Sequence, residues 1–289
     1  MRLVHPIERL RYVARTGGAG VTDLVEAAAR ALAGLDDDQA GLVTGCRQMV
    51  DRHPAVGPMW WLTSRMLCSD APGREAWAAV STLAADETPR TLAGVLPEDA
   101  VTVVLGWPDL TAQAIHRRGD LRVRVIDAHG DGGALADALC EVGVEAVDIP
   151  ESGLGAAVAE ADAVVIEALA MGPGGLVAVA GSRAAAAVAR HAGIPIWATV
   201  GEGRLLPGRL LEALLSRLDS RGEPWDAEHE VVPLDLIDTC VGPWGSGSVA
   251  DALGHTDCPV APELFKGVYA PGTYRGRPDS DARRRLGWS

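Results

Sequence analysis

The chain has 289 residues and a mass of 30.1 kDa, which corresponds to one large α/β domain or two domains of ordinary size. Hydrophobic residues make up 48% and charged residues 22% of the chain, a balance that excludes global disorder. The 39 acidic residues outnumber the 26 basic ones and give a formal charge of −13. The electrostatic field of this negative charge repels phosphate backbones and anionic membranes, so we expect no nucleic-acid partner and no membrane partner.

The cysteines and the start of the sequence indicate a cytoplasmic protein. The five cysteines are odd in number and lack C-x-x-C spacing, which predicts free and mostly buried thiols in a reducing compartment. The first residues contain no apolar segment typical of a secretory signal, and no apolar run approaches the ~20 residues of a membrane span. Lys266 is the sole lysine, which leaves almost no candidate for Schiff-base or P-loop chemistry.

The first 95 residues have the periodicity of helices. Apolar residues recur at helical spacing over 7–14, and a second helix follows Gly20 with Thr22 as its N-cap. Further helices are expected over 39–51, 59–67 and 75–85. No strand-like alternation occurs before about residue 96. We therefore predict a helical N-terminal domain over residues 1–95.

The pattern then changes to short apolar runs separated by helical stretches. The runs cover residues 101–105, 121–126, 144–149, 163–166 and 194–200. This alternation predicts an α/β, Rossmann-like domain with a parallel sheet over residues 96–265, and an extended or disordered tail over 266–289. Such sheets bind ligands where neighbouring strands end, near a topological switch point.

Motifs for cofactors and metals are incomplete. The loop from Gly130 to Leu135 follows a strand but lacks the third glycine of the dinucleotide fingerprint, so a plain turn between strand and helix is the simpler interpretation. His255, Asp257 and Cys258 do not have the spacing of a recognised ligand set. The sequence therefore predicts neither a cofactor nor a metal site.

Three strand ends carry candidate functional residues. Trp107 follows the first run, where its indole would form a pocket wall, and Asp109 would either cap the next helix or serve as a carboxylate of the site. Glu167 closes an apolar strand, so its carboxylate must reach solvent, a partner or a ligand. Gly181 and Ser182 introduce a later helix. Ser182 would cap that helix, and the N-terminus would also suit an anion.

Four segments resemble the family of the eukaryotic initiation factor 2B alpha, beta and delta subunits, to which methylthioribose-1-phosphate isomerase and ribose-1,5-bisphosphate isomerase belong. Residues 161–170 are similar to "aDlVlvGADAv", residues 191–197 to "hgVPfyv", residues 231–237 to "vtPldlId", and residues 52–57 to the isomerases' "RGAPAIG". The resemblance implies a helical N-terminal domain before a Rossmann-like domain. It also implies that Arg52 helps to hold a phosphate beside Gly57, and that the chain forms a homodimer.

The chain departs from the isomerases at the residues that catalyse their reaction. Their catalytic Cys falls within residues 105–109, which contain no Cys, and Leu169 stands where they have the catalytic Asp. Val179 and Ala180 replace their Asn-Lys pair. Losing one group of a general acid/base pair costs ~10²–10⁴-fold in rate, so the inherited mechanism is not expected.

These observations predict a regulatory protein that binds a small phosphorylated ligand, a sugar phosphate or a nucleotide. Arg52 would hold the anion with Ser182 and Arg204. A first alternative is an isomerase-like enzyme on sugar phosphates with a site rebuilt around Asp109 and Glu167, to which Asp127 could add a carboxylate. A second alternative is an assembly subunit without catalysis.

Overall fold

The computed structural model describes residues 20–219 and 223–265. The predicted helix over residues 7–14 and the predicted tail over 266–289 lie outside this part of the chain. Within it, helices alone precede the first strand, and strands and helices then alternate as predicted. The fold class is therefore confirmed: the structure is α/β with a mostly parallel sheet.

The helices before the first strand begin at residues that suit a helix start. Asp38 caps α2 by accepting a hydrogen bond from the amide of Gly41, and proline stands in the first turn of α3, α4 and α5. The prediction for Thr22 was wrong: Gly20 is the N-cap of α1, and Thr22 lies inside the helix. The five helices are α1 (Val21–Leu32), α2 (Gln39–Arg52), α3 (Gly57–Leu67), α4 (Pro72–Ala84) and α5 (Thr88–Val95).

The main sheet contains all five predicted strands and two further ones. Its order is β10-β9-β7-β4-β1-β2-β3, and every neighbouring pair is parallel except β9 with β10. The continuous burial of β1 and of the first four residues of β4 explains why all of these residues except Thr102 are apolar. The seven strands are β1 (Val101–Leu105), β2 (Arg122–Ile126), β3 (Glu145–Ile149), β4 (Ala163–Glu167), β7 (Ile196–Thr199), β9 (Thr239–Gly242) and β10 (Gly245–Gly247).

A second, antiparallel sheet was not predicted from the sequence. It has the order β5-β6-β8 and lies after the end of β4. Two of its strands are short or rich in glycine, so their sequence gives no clear alternation. Its strands are β5 (Ala170–Gly172), β6 (Gly175–Val179) and β8 (His229–Val232).

The helices that connect the strands cover the main sheet. Two of these helices have an N-cap residue that differs from the predicted one. Pro108 precedes α6 and Gly181 is the N-cap of α9, so neither Asp109 nor Ser182 caps its own helix. The remaining helices are α6 (Asp109–Arg118), α7 (Gly132–Glu141), α8 (Leu154–Ala159), α9 (Ser182–Ala192), α10 (Gly208–Asp219) and α11 (Val249–Gly254).

One hydrophobic cluster joins the N-terminal helices to the rest of the molecule. Trp60 and Trp61 of α3 are fully buried in it, together with Ala170 and Val177 of the second sheet and Leu210 of α10. Burial of apolar surface is the main stabilising contribution to folding, so these helices depend on α10 and the second sheet for part of their stability. This hydrophobic cluster therefore contains residues from both sides of the predicted boundary near residue 95.

Three of the five thiols are buried, and two are exposed. Burial raises the pKa of Cys46 and of Cys258 to about 12 and that of Cys240 to about 11. Cys68 and Cys140 are exposed.

Over the described ranges 20–219 and 223–265, none of the helices has the length and apolar character needed to cross a membrane.

Candidate functional site

The carboxyl ends of β1, β2 and β4 surround a cavity of about 390 Å³, here called the switch-point cavity. From β1 the chain continues to β2 and β3 on one side, and β4 then pairs with the other edge of β1. This reversal is the topological switch point at which parallel sheets bind ligands. The cavity is lined by Leu105, Gly106, Trp107, Pro108, Ala128, His129, Asp131, Val165, Ile166, Glu167, Leu169, Val179, Ser182, Glu228 and His229.

Trp107 stands at the mouth of this cavity with 47% of its surface exposed. Gly106 has a φ of +59°, in the left-handed region that favours glycine, and this turn lets Trp107 leave the strand direction immediately after β1. The sequence predicted this position for the indole. An exposed tryptophan beside a cavity offers a flat apolar surface for a ligand to pack against.

Ser182 lies at the N-terminus of α9 and also lines the switch-point cavity. Only 1% of its surface is exposed, and its Oγ has no hydrogen-bond partner among the described residues. A buried hydroxyl without a partner costs free energy, so this position favours a ligand atom that completes the hydrogen bond. The partial positive charge of the helix end makes an anion suitable there. The next backbone amide of the helix, that of Arg183, already donates to the carboxylate of Glu230 at 2.9 Å.

Glu167 reaches the cavity, but both of its carboxylate oxygens have protein partners. One oxygen accepts from the amide and the hydroxyl of Thr111 at 2.9 and 3.0 Å, and the other accepts from Arg204 at 2.9 Å. Arg204 also donates to the carbonyl of Ala168. The side chains of Arg204 and Glu167 are only 4% and 7% exposed, so they form a buried ion pair. Glu167 thus fixes the first turn of α6 to the end of β4.

Asp109 and Arg204 line a different cavity of about 210 Å³, here called the acidic cavity. The carboxylate of Asp109 accepts a hydrogen bond of 3.3 Å from the amide of Val21, at the start of α1. Asp23, Asp86 and Glu202 are among the other lining residues. The structure therefore separates Asp109 from the cavity that Glu167 reaches.

Burial raises the pKa of Glu202 in the acidic cavity, and the nearby carboxylates of Asp86 and Asp257 raise it further. Arg65 acts in the opposite direction. The cavity is thus strongly negative, which makes it a poor site for a phosphate.

Neither Arg52 nor Gly57 is among the residues that line the switch-point cavity. Arg52 ends α2, and its Nη1 atom is buried without a hydrogen-bond partner among the described residues. The amide of Gly57 donates to the carbonyl of Leu169 at 2.8 Å, and Leu169 lines the cavity. A Cβ atom on Gly57 would lie 2.6 Å from that carbonyl, so the close approach requires glycine.

Four polar lining residues were not singled out from the sequence. Asp131 and Glu228 are exposed, and neither has an ion-pair partner within the residues the structure covers. His129 and His229 complete the set. His129 could have been found from its place shortly after β2, whereas His229 begins β8 of the second sheet and Glu228 directly precedes that strand, and the sequence did not predict this sheet.

Among the residues that the structure describes, no group of three or more His, Cys, Asp or Glu side chains is placed to hold a metal ion. The arrangement offers instead one apolar stacking surface, one helix N-terminus with an unpartnered hydroxyl, and several carboxylates that accept hydrogen bonds. These groups suit the binding of a small polar molecule.

The fold and the cavity define an α/β protein with a helical N-terminal part and a ligand-sized cavity at the switch point of its sheet. No family model matches the chain, and no curated protein sequence matches it. Solved structures do match. The translation initiation factor eIF-2B of Pyrococcus horikoshii OT3 has a TM-score of 0.72 and 15% identity, over 87% of this chain and 100% of that one.

Two structures from Chaetomium thermophilum are also similar. The tetrameric eIF2B-beta2-delta2 complex matches with a TM-score of 0.65 and 19% identity, over 86% of this chain and 92% of that one. The eIF2B beta subunit matches with a TM-score of 0.62 and 16% identity, over 86% and 89%. The chain therefore has the fold of the eIF2B subunits, and the resemblance inferred from its sequence motifs is confirmed at the level of the fold.

Proposed function

We propose that this eIF2B-like protein is a regulatory protein that binds a small phosphorylated ligand in the switch-point cavity. The observation that carries the proposal is the buried, unpartnered Oγ of Ser182 at the N-terminus of α9. A phosphate oxygen accepts hydrogen bonds and carries negative charge, so it satisfies both the hydroxyl and the helix end. Gly181 permits this arrangement, because its φ of +93° turns the chain into the helix in a conformation that glycine adopts readily.

Arg52 supplies a second donor in this proposal. Its buried Nη1 has no acceptor among the described residues, and a buried guanidinium nitrogen strongly favours one. Arg52 is joined to the cavity through the short segment that leads to Gly57 and its bond to Leu169. Arg204 was expected to share this role, but its ion pair with Glu167 makes it a support for the cavity wall instead.

The proposed role is binding rather than catalysis. Proton transfer in an aldose–ketose conversion needs two groups that reach the substrate. Asp109 lines the acidic cavity and accepts from Val21, while Glu167 is held by Thr111 and Arg204. An enzyme rebuilt around these two carboxylates is thus less well supported than a ligand-binding protein.

Titration calorimetry with ribose 5-phosphate on the full chain tests the proposal. At a concentration well above its Kd, the ligand should also stabilise the protein by about 2–4 kcal/mol in thermal unfolding. Ser182→Ala and Arg52→Ala should each weaken binding roughly 10- to 100-fold, since each removes a hydrogen bond to a charged group. Ser81→Ala and Arg90→Ala change the same residue types on α4 and α5 and should leave binding unchanged.

The absence of binding by ribose phosphates and by nucleotides would contradict the proposal and favour an assembly subunit without a ligand. Interconversion of aldose and ketose phosphates followed by NMR, abolished in Glu167→Gln, would favour the enzyme instead.

We also propose that the chain forms a homodimer and acts in the cytoplasm. One of the similar structures is a tetrameric complex of eIF2B beta and delta subunits, which supports association through this fold. Light scattering after size exclusion should give a mass near twice the 30.1 kDa of one chain. A mass of one chain at all concentrations tested would contradict the dimer.

A further inference from the structure

Trp225 is the most exposed of the large hydrophobic side chains that the structure describes, with 78% of its surface accessible to solvent. It lies in a single turn of 3-10 helix, Pro224–Asp226, just before the chain enters β8 of the second sheet. An aromatic side chain removes about 150–250 Å² from water when it is buried. Tryptophan is also enriched among the residues that contribute most to binding at protein interfaces, so this position favours a contact with a partner.

Backbone hydrogen bonds hold the turn that carries the indole. Pro224 restricts the start of the turn, and the amide of Asp226 donates to the carbonyl of Glu223 at 3.0 Å. Further along, the amide of Ala180 donates to the carbonyl of Glu228 at 2.9 Å, directly before β8 pairs with β6. Because the backbone is already ordered, a partner that binds this turn loses little free energy in fixing it.

Three carboxylates lie within three residues of Trp225 in the chain. Glu223, Asp226 and Glu228 are all exposed. None of the three has an ion-pair partner in the part of the chain that the structure describes. The turn over residues 223–228 therefore combines one exposed indole with several negative charges that no described cation neutralises.

From this combination we infer that the turn over residues 223–228 binds an arginine-bearing segment of a partner protein. A guanidinium group is planar, so it stacks on an indole face while its N–H groups donate to a neighbouring carboxylate. The ammonium group of lysine is a compact charge that matches this pair of contacts less well. The carboxylates repel phosphate groups, so neither a nucleic acid nor an anionic membrane suits this surface. The inference is independent of phosphate binding at Ser182.

The experiment is calorimetry on the full chain with two blocked peptides of equal charge, one of four Arg-Gly repeats and one of four Lys-Gly repeats. The arginine peptide should bind more tightly than the lysine peptide. Trp225→Ala should weaken the arginine peptide roughly 2- to 30-fold, the range expected when a cation–π contact is lost, and Trp225→Phe should retain part of the affinity. Trp77→Ala removes an indole that is 43% exposed on α4 and should have no effect.

The carboxylates have their own test. Glu223→Gln and Asp226→Asn should each weaken the arginine peptide by up to roughly 5-fold, the range for exposed ion pairs, and added salt should weaken both peptides. Three results would overturn the inference while leaving the proposed phosphate binding untouched: no binding of the arginine peptide, equal affinity for the two peptides, or unchanged affinity in Trp225→Ala. Light scattering on Trp225→Ala tests for a different occupant. A change from the mass of a dimer to that of one chain would assign this turn to a second copy of the protein and would also overturn the inference.

Discussion

Replacing Arg204 by methionine is the most direct test of the buried ion pair with Glu167. Methionine fills a similar space but leaves the carboxylate of Glu167, which is 7% exposed, without its cationic partner. Breaking a buried pair by removing one member costs about 3–5 kcal/mol, because the remaining charge stays buried. At about 2–4 °C per kcal/mol for a chain of this size class, the midpoint of thermal unfolding should fall by roughly 6–20 °C.

A double-mutant cycle shows whether the loss comes from the pair itself. Glu167→Gln keeps a side-chain oxygen that accepts from Thr111. It also removes the negative charge that lacks its cationic partner in Arg204→Met. The double variant should therefore lose at least about 1 kcal/mol less than the sum of the two single variants. Arg90→Met is the matched control, because Arg90 is 79% exposed and its ion pair with Glu87 lies on the surface; it should cost within about 0.5 kcal/mol.

Unfolding by urea and by heat, followed by circular dichroism, gives the required free energies. If Arg204→Met costs less than about 1 kcal/mol, or if the two substitutions add without coupling, the pair does not stabilise the end of β4 in the way described. The result bears on function as well, because it decides whether Glu167 is a structural carboxylate or one available to a substrate.

Two further predictions concern thiols and helix contact. In the native protein a thiol reagent at pH 8 should label Cys68 and Cys140, as counted by mass spectrometry, while the other three cysteines react only after unfolding. Burial raises the pKa of Cys46 to about 12, so almost none of this thiol is ionised at pH 8. Early labelling of three or more sites would contradict the described burial. Gly57→Ala should destabilise the protein by about 1–3 kcal/mol in urea unfolding, since its Cβ would overlap the carbonyl of Leu169; unchanged stability would mean that this contact is looser than described.

The sequence was informative wherever local pattern determines structure. The apolar runs of β1 and β4 are buried on both faces, so their composition alone indicated a parallel sheet. β5 has only three residues and pairs with β6, and β6 pairs in turn with the distant β8, where Val177 lies opposite Val231, so this pairing rather than local preference forms the second sheet. Such long-range pairing has no signature in a short window of sequence.

The candidate site was predicted in part for the same reason. Trp107, Glu167 and Ser182 do line one cavity, because strand ends of a parallel sheet meet at one edge. The sequence could not show that Glu167 pairs with Arg204, which lies 37 residues further along the chain. Nor could it show that Asp109 turns toward the start of α1, since that contact spans 88 residues.

The carbonyl of Leu169 gives the cavity a direct connection to the N-terminal helices. Leu169 faces the cavity, and its carbonyl holds the first residue of α3, on which the buried Trp60 and Trp61 follow within one turn. Any occupant that shifts this peptide group must also shift the helix. A change at the sheet edge would thereby reach the core that Trp60 and Trp61 share with the second sheet.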